Sequence, residues 1–411
     1  MKLRLMICAA FVLCAPMFAS AQISWSGIYD FEISKGGTDS RPGWNQLPND
    51  YIQFSVRNLR LFVDAAVDNN ITLSVEIATN RQSSLDPRFV DLELAYATFW
   101  NLAGNSLNIS VGKILTPFGG FTRRQLSPDN PLIGNPLFFY YQTNVSPVVG
   151  YLNQNNTASA QSTYGGSLST IYQGGYFVGA SAFGSFADDL LEYNVAIMNA
   201  PLSSPTNAVN FDREPSIQSR IALRPAIWCT LGLSWSSGSF IDHSNINQFL
   251  DSSGGTERFK QNTIGTDVRL SYLYYEINAE YIHNQYNAPY IVYTAGTYGG
   301  YASGVSNPNG LDLTNDEILV DVKVDAPFYP GLFFAGRYNT LTFGKIVDPD
   351  LSPALYGRQI RWDDDVAKYA IGIGYKPAHN VIIKLNYETT RIDVNPRPRL
   401  DVFAAQLSVT F

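Results

Sequence analysis

The charged residues best placed to act on a solute lie in one long connector of the chain, roughly residues 116–171. Arg123, Arg124, Gln125 and Asp129 follow one another closely there. Arginine and carboxylate groups that line a narrow passage select ions by charge, and an amide hydrogen bonds to polar solutes. This grouping therefore indicates electrostatic filtering of a solute. The alternative is a solvent-exposed surface loop that lines no passage.

The same connector contains many residues that fix an irregular backbone path. These are Pro117, Gly119, Gly120, Pro128, Pro131, Gly134 and Pro136. The connector is too long to be an idle turn, so we expect it to fold inward and form a constriction. Its aromatic run Phe138–Tyr141 offers rings that could stack on a sugar or another planar solute.

Further charged residues alternate with apolar ones along short segments, which places them on one polar face. The candidates for a pore lining on these faces are Arg57, Arg60, Arg220, Arg224, Arg269, Arg337, Asp91 and Glu93. Two lysines, Lys368 and Lys384, and further acidic residues share the same faces. Such mixed charge predicts a hydrated lining without a clear preference for one sign of ion. Arg123 and Arg124 would tilt the narrowest point toward anions.

Signals for covalent chemistry are weak. The three histidines, His243, His283 and His379, are far apart in sequence and form no pair at metal-binding spacing. Neither a Gly-x-Ser-x-Gly motif nor a phosphate-binding glycine loop occurs. We expect no enzyme activity, no metal and no cofactor. The enzymatic alternative, an outer-membrane protease or lipase barrel, would have fewer strands and a catalytic group at a rim.

The elements that position these residues alternate apolar and polar side chains. Alternation with period two predicts β-strands. We place sixteen strands near residues 23–34, 51–65, 71–80, 89–100, 106–115, 172–186, 190–199, 216–224, 228–237, 261–272, 275–283, 317–325, 332–343, 366–375, 381–389 and 401–411. In the fourth strand, Leu92, Leu94 and Tyr96 are predicted to lie opposite Asp91 and Glu93.

The connectors indicate the architecture, because short turns alternate along the chain with much longer loops. Examples of the short turns are residues 68–70, 187–189 and 376–380. A membrane barrel has short turns on one rim and long loops on the other. We therefore predict an all-β fold, a transmembrane antiparallel β-barrel of about sixteen strands over residues 22–411, with the third extracellular loop (116–171) folded into the lumen. A soluble sandwich or propeller has no reason to place its long connections at one end.

The beginning of the chain resembles a secretory signal peptide. Lys2 and Arg4 precede an apolar run, and Ala19-Ser20-Ala21 then offers small residues for cleavage before Gln22. The apolar run is short of the roughly 20 residues of a membrane-spanning helix. We expect residues 1–21 to be removed, which leaves Cys229 as the one cysteine of the mature chain and rules out a disulfide framework.

Composition excludes other classes of function. Loss of Lys2 and Arg4 would leave 26 of the 28 basic side chains against 35 acidic ones. A basic surface for nucleic acid is therefore not expected. Hydrophobic residues make up 45% of the sequence, yet no stretch after the signal is long enough for a transmembrane helix. Only a closed barrel could then cross a membrane, because every backbone polar group in lipid needs a partner within the protein.

Two local features refine the strand prediction. Ile52, Phe54 and Val56 share one face, but Leu59 and Leu61 lie in the other phase, so we expect a β-bulge at Arg57 and Asn58. Aromatic residues recur near predicted strand ends and could form girdles at the two membrane interfaces. They are Trp25, Trp100, Trp228, Trp235, Tyr281 and Tyr375.

The segment Val111–Gly119 (VGKILTPFG) resembles the "VGxFKxPFG" segment of the porin family that contains the phosphate-selective porins. Residues 55–61, 91–96 and 187–199 are similar to three further segments of that family, in the same order. The resemblance implies a bacterial outer-membrane porin: a sixteen-stranded barrel, commonly trimeric, with an infolded third loop and a passive channel. Asn58 stands where a second arginine is usual, and the chain lacks a dense Lys or Arg ladder, so phosphate selectivity is not carried over.

We therefore expect a water-filled channel in the outer membrane of Gram-negative type, through which small hydrophilic solutes or ions diffuse passively. Its expected partners are outer-membrane lipid, lipopolysaccharide, the solutes themselves and two further copies of the chain. The alternatives are a channel specific for an anion or a sugar, an outer-membrane enzyme, or a purely structural barrel.

Overall fold

The computed structural model describes most of the chain after the predicted signal peptide. The described residues are 22–37, 51–79, 90–147, 150–151, 167–172, 174–203, 215–241, 259–289, 310–348, 357–393 and 400–411. The predicted signal peptide and His243 lie outside them, and the signal peptide stays a prediction.

Sixteen strands form one closed antiparallel barrel. They are β1 (Gln22–Gly36), β2 (Gln53–Asp68), β3 (Ile71–Thr79), β4 (Val90–Phe99), β6 (Asn108–Leu115), β9 (Tyr176–Phe186), β10 (Leu191–Met198), β11 (Ser216–Ala226), β12 (Cys229–Ser239), β13 (Lys260–Tyr272), β14 (Tyr275–Ala288), β15 (Leu311–Asp325), β16 (Leu332–Phe343), β19 (Val366–Ala378), β20 (Val381–Ile392) and β21 (Leu400–Thr410). Five short strands lie outside this ring: β5 (Leu102–Asn105), β7 (Val145–Ser146), β8 (Gly150–Tyr151), β17 (Lys345–Val347) and β18 (Gln359–Arg361).

Pairing of β1 with β21 closes the barrel, with Ile28 opposite Thr410 and Gly36 opposite Val402. Each of the sixteen predicted strands overlaps one strand of the ring, so the predicted antiparallel β-barrel of about sixteen strands is confirmed. Closure satisfies the backbone groups that an open sheet would leave at its edges. In the part of the chain that the structure describes, no helix is long and apolar enough to cross a membrane.

The two faces of the wall differ sharply in polarity. On β14, Asn278, Glu280 and Asn284 are buried and point inward, whereas Ile277 and Tyr281 are exposed on the outside. Strand residues alternate between faces, so the polar face predicted from the sequence is the inner face of the ring. The outside therefore carries an apolar band of exposed valine, leucine, isoleucine and aromatic side chains.

The predicted bulge on β2 is confirmed. Asp30 of β1 is opposite Asn58, but the next residue, Phe31, is opposite Val56, so Arg57 is the extra residue. The slip lets Arg57, Asn58 and Arg60 all reach inward while the apolar residues on either side stay outside.

A second bulge, on β4, corrects the sequence prediction. Glu76 of β3 is opposite Leu94 and the next residue, Ile77, is opposite Leu92, so Glu93 is the extra residue. Opposed residues share a face, so Leu94 lies on the inner face with Glu76 rather than with Leu92. Tyr96 follows it inward and packs against the cluster of Ile114 and Phe177. The prediction that Leu94 and Tyr96 share the face of Leu92 is therefore wrong.

Outward-facing aromatic residues line the band near the strand ends. Among those predicted, Trp25, Trp228, Trp235 and Tyr281 are exposed on the outside, and Tyr375 packs beside Tyr329 at a short turn. Trp100 is the exception. Its ring packs edge-on against Phe183 at 5.7 Å and lines a hollow inside the rim. The prediction of a girdle position for Trp100 is wrong, because its indole N–H donates at 2.9 Å to Thr72 on the inner face of β3.

Candidate functional site

The described part of the long connector lies against inward-facing side chains of the wall. The backbone N–H of Gly119 donates to Ser234 Oγ at 3.0 Å, and that of Phe121 donates to Glu280 Oε2 at 3.0 Å. The N–H of Leu137 donates to Asn339 Oδ1. Gly119 has a positive φ of 72°, and a Cβ there would collide with the Glu280 carboxylate. Only glycine fits this approach of backbone to wall.

Three buried cations on neighbouring strands hold residues 127–135 of the connector. Lys384 Nζ on β20 donates to the carbonyl oxygens of Ser127 at 2.6 Å and Asn130 at 2.7 Å. Arg337 Nη1 on β16 donates to Gly134 O at 3.0 Å. Lys368 Nζ on β19 donates to Asn135 O at 3.3 Å. Charge-assisted hydrogen bonds of this kind are about twice as strong as neutral ones, so these contacts fix the connector to the inner wall.

An apolar core lies between the connector and the wall. Phe118, Phe121, Phe138 and Phe139 are fully buried in it, together with inward-facing wall residues such as Ile282. Tyr140 belongs to the same core and Tyr141 to a neighbouring one. The prediction that the aromatic run Phe138–Tyr141 stacks on a planar solute is therefore wrong, because burial against the wall removes these rings from any solute.

Residues 141–144, in the middle of the connector, are tied to the turn before β19 by a buried carboxylate. Asp363 accepts hydrogen bonds from Tyr141 Oη at 3.1 Å and from the backbone N–H of Asn144 at 2.7 Å. Burial raises the pKa of Asp363 to about 7, and the neighbouring charge of Asp364 adds to the shift, although the hydrogen bonds oppose it. The structure thus prefers Asp363 protonated over a range where an ordinary aspartate is ionised.

This carboxylate predicts a pH-dependent anchor. Between the ordinary aspartate pKa of 3.8 and about 7, the folded protein binds a proton that the unfolded chain does not, so the anchor weakens as pH rises through this range. Hydrogen exchange of the Asn144 amide, corrected for its intrinsic rate, should be faster above about pH 8 than near about pH 6. Asp363→Asn should flatten this response. If the exchange rate of the Asn144 amide depends on pH equally in Asp363→Asn, Asp363 is not the group that titrates. The same conclusion would follow if the Ile171 amide of the wild type showed the same pH dependence.

Arg123 is bordered by open space on several sides. It lies in a short 3-10 helix, Phe121–Arg124, and it lines three hollows between the connector and the wall. Their volumes, including space open to solvent, are about 620, 920 and 840 Å³. The hollows also contain Asn101, Asp189 and Lys376, which stand at short turns. The open space therefore lies on the short-turn side of the connector.

The other predicted connector residues take different positions. Asp129 is exposed and lines the 840 Å³ hollow. Arg124 is buried beside Asp321 of β15, with 3.7 Å between Nη2 and Oδ2, and its guanidinium lies over the Phe121 ring. Gln125 is buried and donates to Gly174 O at 2.8 Å. Arg123 and Asp129 can thus meet a solute directly, whereas Gln125 supports the connector.

The predicted arginines of the wall form pairs with acidic residues. Arg220 and Arg337 are buried and make two hydrogen bonds each, to Asp267 and Asp321 respectively. Arg60 is buried against Glu76 and Tyr176. Arg57 lies 3.9 Å from Glu32.

Two further arginines form pairs that are more open to solvent. Arg224 pairs with Glu192 at 2.9 Å and Arg269 with Glu276 at 3.3 Å, and both arginines are about half exposed. Arg220, Arg224 and Arg269 line the hollow of about 620 Å³.

Asp91 and Glu93 lie near the start of β4, at the opposite end of that strand from the short turn. Asp91 is exposed, and Glu93 is the bulged residue. Neither lines a hollow that contains Arg123. His283 faces outward and pairs with Asp316 at 2.8 Å, and in the described part of the chain no cluster of metal-binding side chains forms.

Two further lysines line the hollows and were not predicted from the sequence as site residues. Lys323 ends an alternating segment of β15, and Lys376 follows the last apolar residues of β19 at a short turn. The alternation of β15 placed Lys323 on the polar face, but a lysine near a strand end is normally read as a solvated surface residue. Its position beside Arg123 depends on the infolded connector, which carries no periodic pattern.

Burial and like charge act together on the connector arginines. Arg123 is exposed to the hollows, but its position inside the barrel removes part of its contact with bulk water; this desolvation, followed by the positive charge of Arg220, lowers the pKa of Arg123, and Glu192 opposes the effect. Burial also lowers the pKa of Arg124, with Asp321 opposing and Arg337 adding to the effect. Both guanidinium groups remain charged at neutral pH because arginine starts from a pKa above 12. The hollows therefore contain the charge of Arg123 beside wall arginines that are paired with carboxylates.

Solved structures share this fold along nearly the whole chain. The outer membrane channel DcaP of Acinetobacter baumannii is 12% identical, with 96% of this chain and 98% of that chain covered and a TM-score of 0.58. An anion-selective porin from Comamonas acidovorans is 8% identical, with 95% and 100% covered and a TM-score of 0.56. The trimer form of OmpT, an outer membrane protein of Vibrio cholerae, is 10% identical, with 95% and 99% covered and a TM-score of 0.52.

At these identities the likeness is one of fold. No protein-family model matches the chain. No curated protein matches its sequence significantly. The resemblance to the family that contains the phosphate-selective porins stays a prediction.

Proposed function

We propose that this protein is a porin of the bacterial outer membrane, through which small hydrophilic solutes and ions diffuse passively. The observation that carries the proposal is the exposure of Arg123 to three solvent-open hollows between an infolded connector and a polar inner wall. The connector fills part of the barrel and is fixed by buried charges, so it forms a rigid constriction. Solutes pass the charged groups around Arg123, which filter them by size and charge.

Three lines of support bear on location and partners. The exposed apolar band with aromatic residues near strand ends suits a barrel surrounded by outer-membrane lipid and lipopolysaccharide. The structural neighbours are named as a channel, a porin and an outer membrane protein. One of them is a trimer form, which favours a homotrimer here. A channel function without catalysis, cofactor or nucleic acid accounts for the site.

Thiol labelling at Arg123 tests the constriction. Arg123→Cys is made in a Cys229→Ser background, because Cys229 is the other thiol of the chain after signal cleavage. In planar bilayers the refolded protein should conduct, and a bulky charged methanethiosulfonate reagent should lower the single-channel conductance of Arg123→Cys by at least about half, because the added group fills the passage. Ile227→Cys, at a fully exposed turn, should label without effect. Folded protein that does not conduct would contradict the channel, and labelling of Arg123→Cys without effect would contradict the constriction.

A further inference from the structure

Two neighbouring short turns present an apolar surface that contains no charged side chain. They are residues 272–275 (Tyr-Leu-Tyr-Tyr), which join β13 to β14, and residues 326–331 (Ala-Pro-Phe-Tyr-Pro-Gly), which join β15 to β16. Leu273 is 78% exposed and Phe328 is 76% exposed. The backbone N–H of Asp325 donates to Tyr274 O at 2.8 Å, so the two turns are adjacent. Together they form the apolar turn surface.

Other short turns of the barrel are polar. The turn between β2 and β3 consists of exposed Asp68, Asn69 and Asn70. The turn between β11 and β12 borders the apolar turn surface and combines the exposed Ile227 with the half-exposed Arg224. The apolar turn surface is therefore a local feature of the β13–β16 side.

The backbone conformation at Leu273 is unfavourable for leucine. Its φ of 54° lies in the left-handed region, which glycine, asparagine and aspartate adopt most easily. Residues with a positive φ in other short turns include Asn101, Asp188 and Asp189. A leucine gains nothing from this conformation in water, whereas contact with lipid would favour its apolar side chain.

The outer wall beside these turns is shorter than the apolar part of a membrane. On β14 the outward residues are apolar or aromatic from Tyr275 to Tyr281, and the next one, His283, pairs with Asp316 of β15 at 2.8 Å. These six residue steps, at a rise of about 3.4 Å and a tilt of about 40°, cover about 16 Å. The apolar band of a membrane barrel is about 25 Å tall.

The wall at β1 does reach this height. Its outward residues are apolar or aromatic from Ile23 to Ile33, and these ten residue steps cover about 26 Å by the same geometry. The polar turn 68–70 adjoins this part of the barrel. On β14 the remaining height of about 10 Å lies below Tyr275, because the pair of His283 and Asp316 limits the band above. The apolar turn surface occupies that position.

We propose that the apolar turn surface binds the acyl chains of phospholipid in the membrane leaflet on the short-turn side. The β13–β16 side of the barrel is then immersed about 10 Å further in that direction than the side of β1. Continuity with the outward apolar band of β14 and β15 favours lipid over a protein partner. The charged residues at these strand ends, Glu276 and Lys323, line a hollow inside the barrel and stay out of the lipid. The inference rests on the proposed function, because only a membrane barrel is surrounded by phospholipid.

Quenching of a fluorescent label measures the depth of these turns. Leu273→Cys, Phe328→Cys and Asn69→Cys are made in the Cys229→Ser background, labelled and refolded into phosphatidylcholine vesicles. The quenchers are lipids brominated along the acyl chains of both leaflets and iodide on both sides of the membrane. Labels at residues 273 and 328 should lie within about 13 Å of the bilayer midplane, half the height of the apolar band, and resist iodide. The label at residue 69 should show the reverse.

Leu233→Cys, in the outward apolar band of β12, is the reference for insertion. If brominated lipid fails to quench its label as well, the barrel is not in the membrane and the proposed function is overturned. If this label is quenched by lipid while those at residues 273 and 328 are quenched by iodide as strongly as that at residue 69, the turns lie in water. That result would leave them free for a protein partner and would overturn the lipid surface alone.

Leu273→Asn is a second test, because the sign of its effect differs between water and lipid. Asparagine adopts the left-handed φ more easily than leucine, so in water the variant should fold at least as well as the wild type. In lipid, loss of the apolar side chain should lower the equilibrium constant for folding into vesicles at least about threefold. Leu102→Asn, in the exposed short strand β5, is the matched control and should change it little. An unchanged or larger constant for Leu273→Asn in urea-dependent folding would contradict immersion of the turn.

Discussion

Replacement of Arg337 by alanine is expected to release residues 127–137 from the inner wall, so that single-channel current becomes larger and noisier. Arg337 donates to both oxygens of Asp321, at 2.6 and 2.9 Å, to Gly134 O at 3.0 Å and to Asn130 Oδ1 at 3.1 Å. Its guanidinium also lies 5.0 Å from the centre of the Phe121 ring. Removing one partner of such a buried pair costs about 3–5 kcal/mol.

Two further variants separate loss of the anchor from loss of folding. Arg337→Leu/Asp321→Asn removes both charges of the pair and keeps an amide oxygen that accepts from Arg124, which also lies beside residue 321, so it should fold at a higher yield than Arg337→Ala. It still lacks the donor to Gly134 and Asn130, so its current should fluctuate as in Arg337→Ala. Arg224→Ala breaks a half-exposed pair with Glu192 and should cost at most about 1 kcal/mol. Quiet, wild-type current from the folded double variant would show that Arg337 does not hold the connector.

The barrel could be predicted from the sequence because apolar and polar side chains alternate along each strand wherever its outward face is apolar. β3 and β12 show such alternation along most of their length, and their predicted positions match the structure closely. The bulge at Arg57 was also predictable, because the apolar residues change phase there and stay apolar on both sides.

The positions of the strand ends on the long-loop side could be predicted less accurately from the sequence. β15 begins at Leu311 and β14 extends to Ala288, several residues beyond their predicted ends. At these ends the outward residues are polar, including Asp312, Asp316 and His283. When both faces are polar, alternation disappears although the strand continues, so a periodic pattern marks the apolar band rather than the strand.

The candidate site was predictable in residue type but not in geometry. Arg123 could be identified because it lies in a connector too long for a turn, and the structure places it in open space. The aromatic run Phe138–Tyr141 was misassigned because sequence does not distinguish a ring that faces a solute from one that packs on a wall. The bulge at Glu93 was missed because Leu92 and Leu94 are both apolar, so the slip leaves no mark in the pattern.

Replacement of Leu233 by arginine should strongly impair insertion into lipid vesicles, because this side chain lies within the outward apolar band. Leu233 is 54% exposed on β12 and is opposite Ile221 and Thr266 on the neighbouring strands. An arginine on the lipid face of a barrel costs about 2–4 kcal/mol near the bilayer midplane and about 0–1 kcal/mol near the interface. Ile227→Arg, at the fully exposed turn before the same strand, is therefore the matched control and should insert normally. Urea-dependent folding into vesicles measures both free energies. Equal values for the two variants would mean that the outer band does not face hydrocarbon, since only immersion in lipid makes the cost depend on depth.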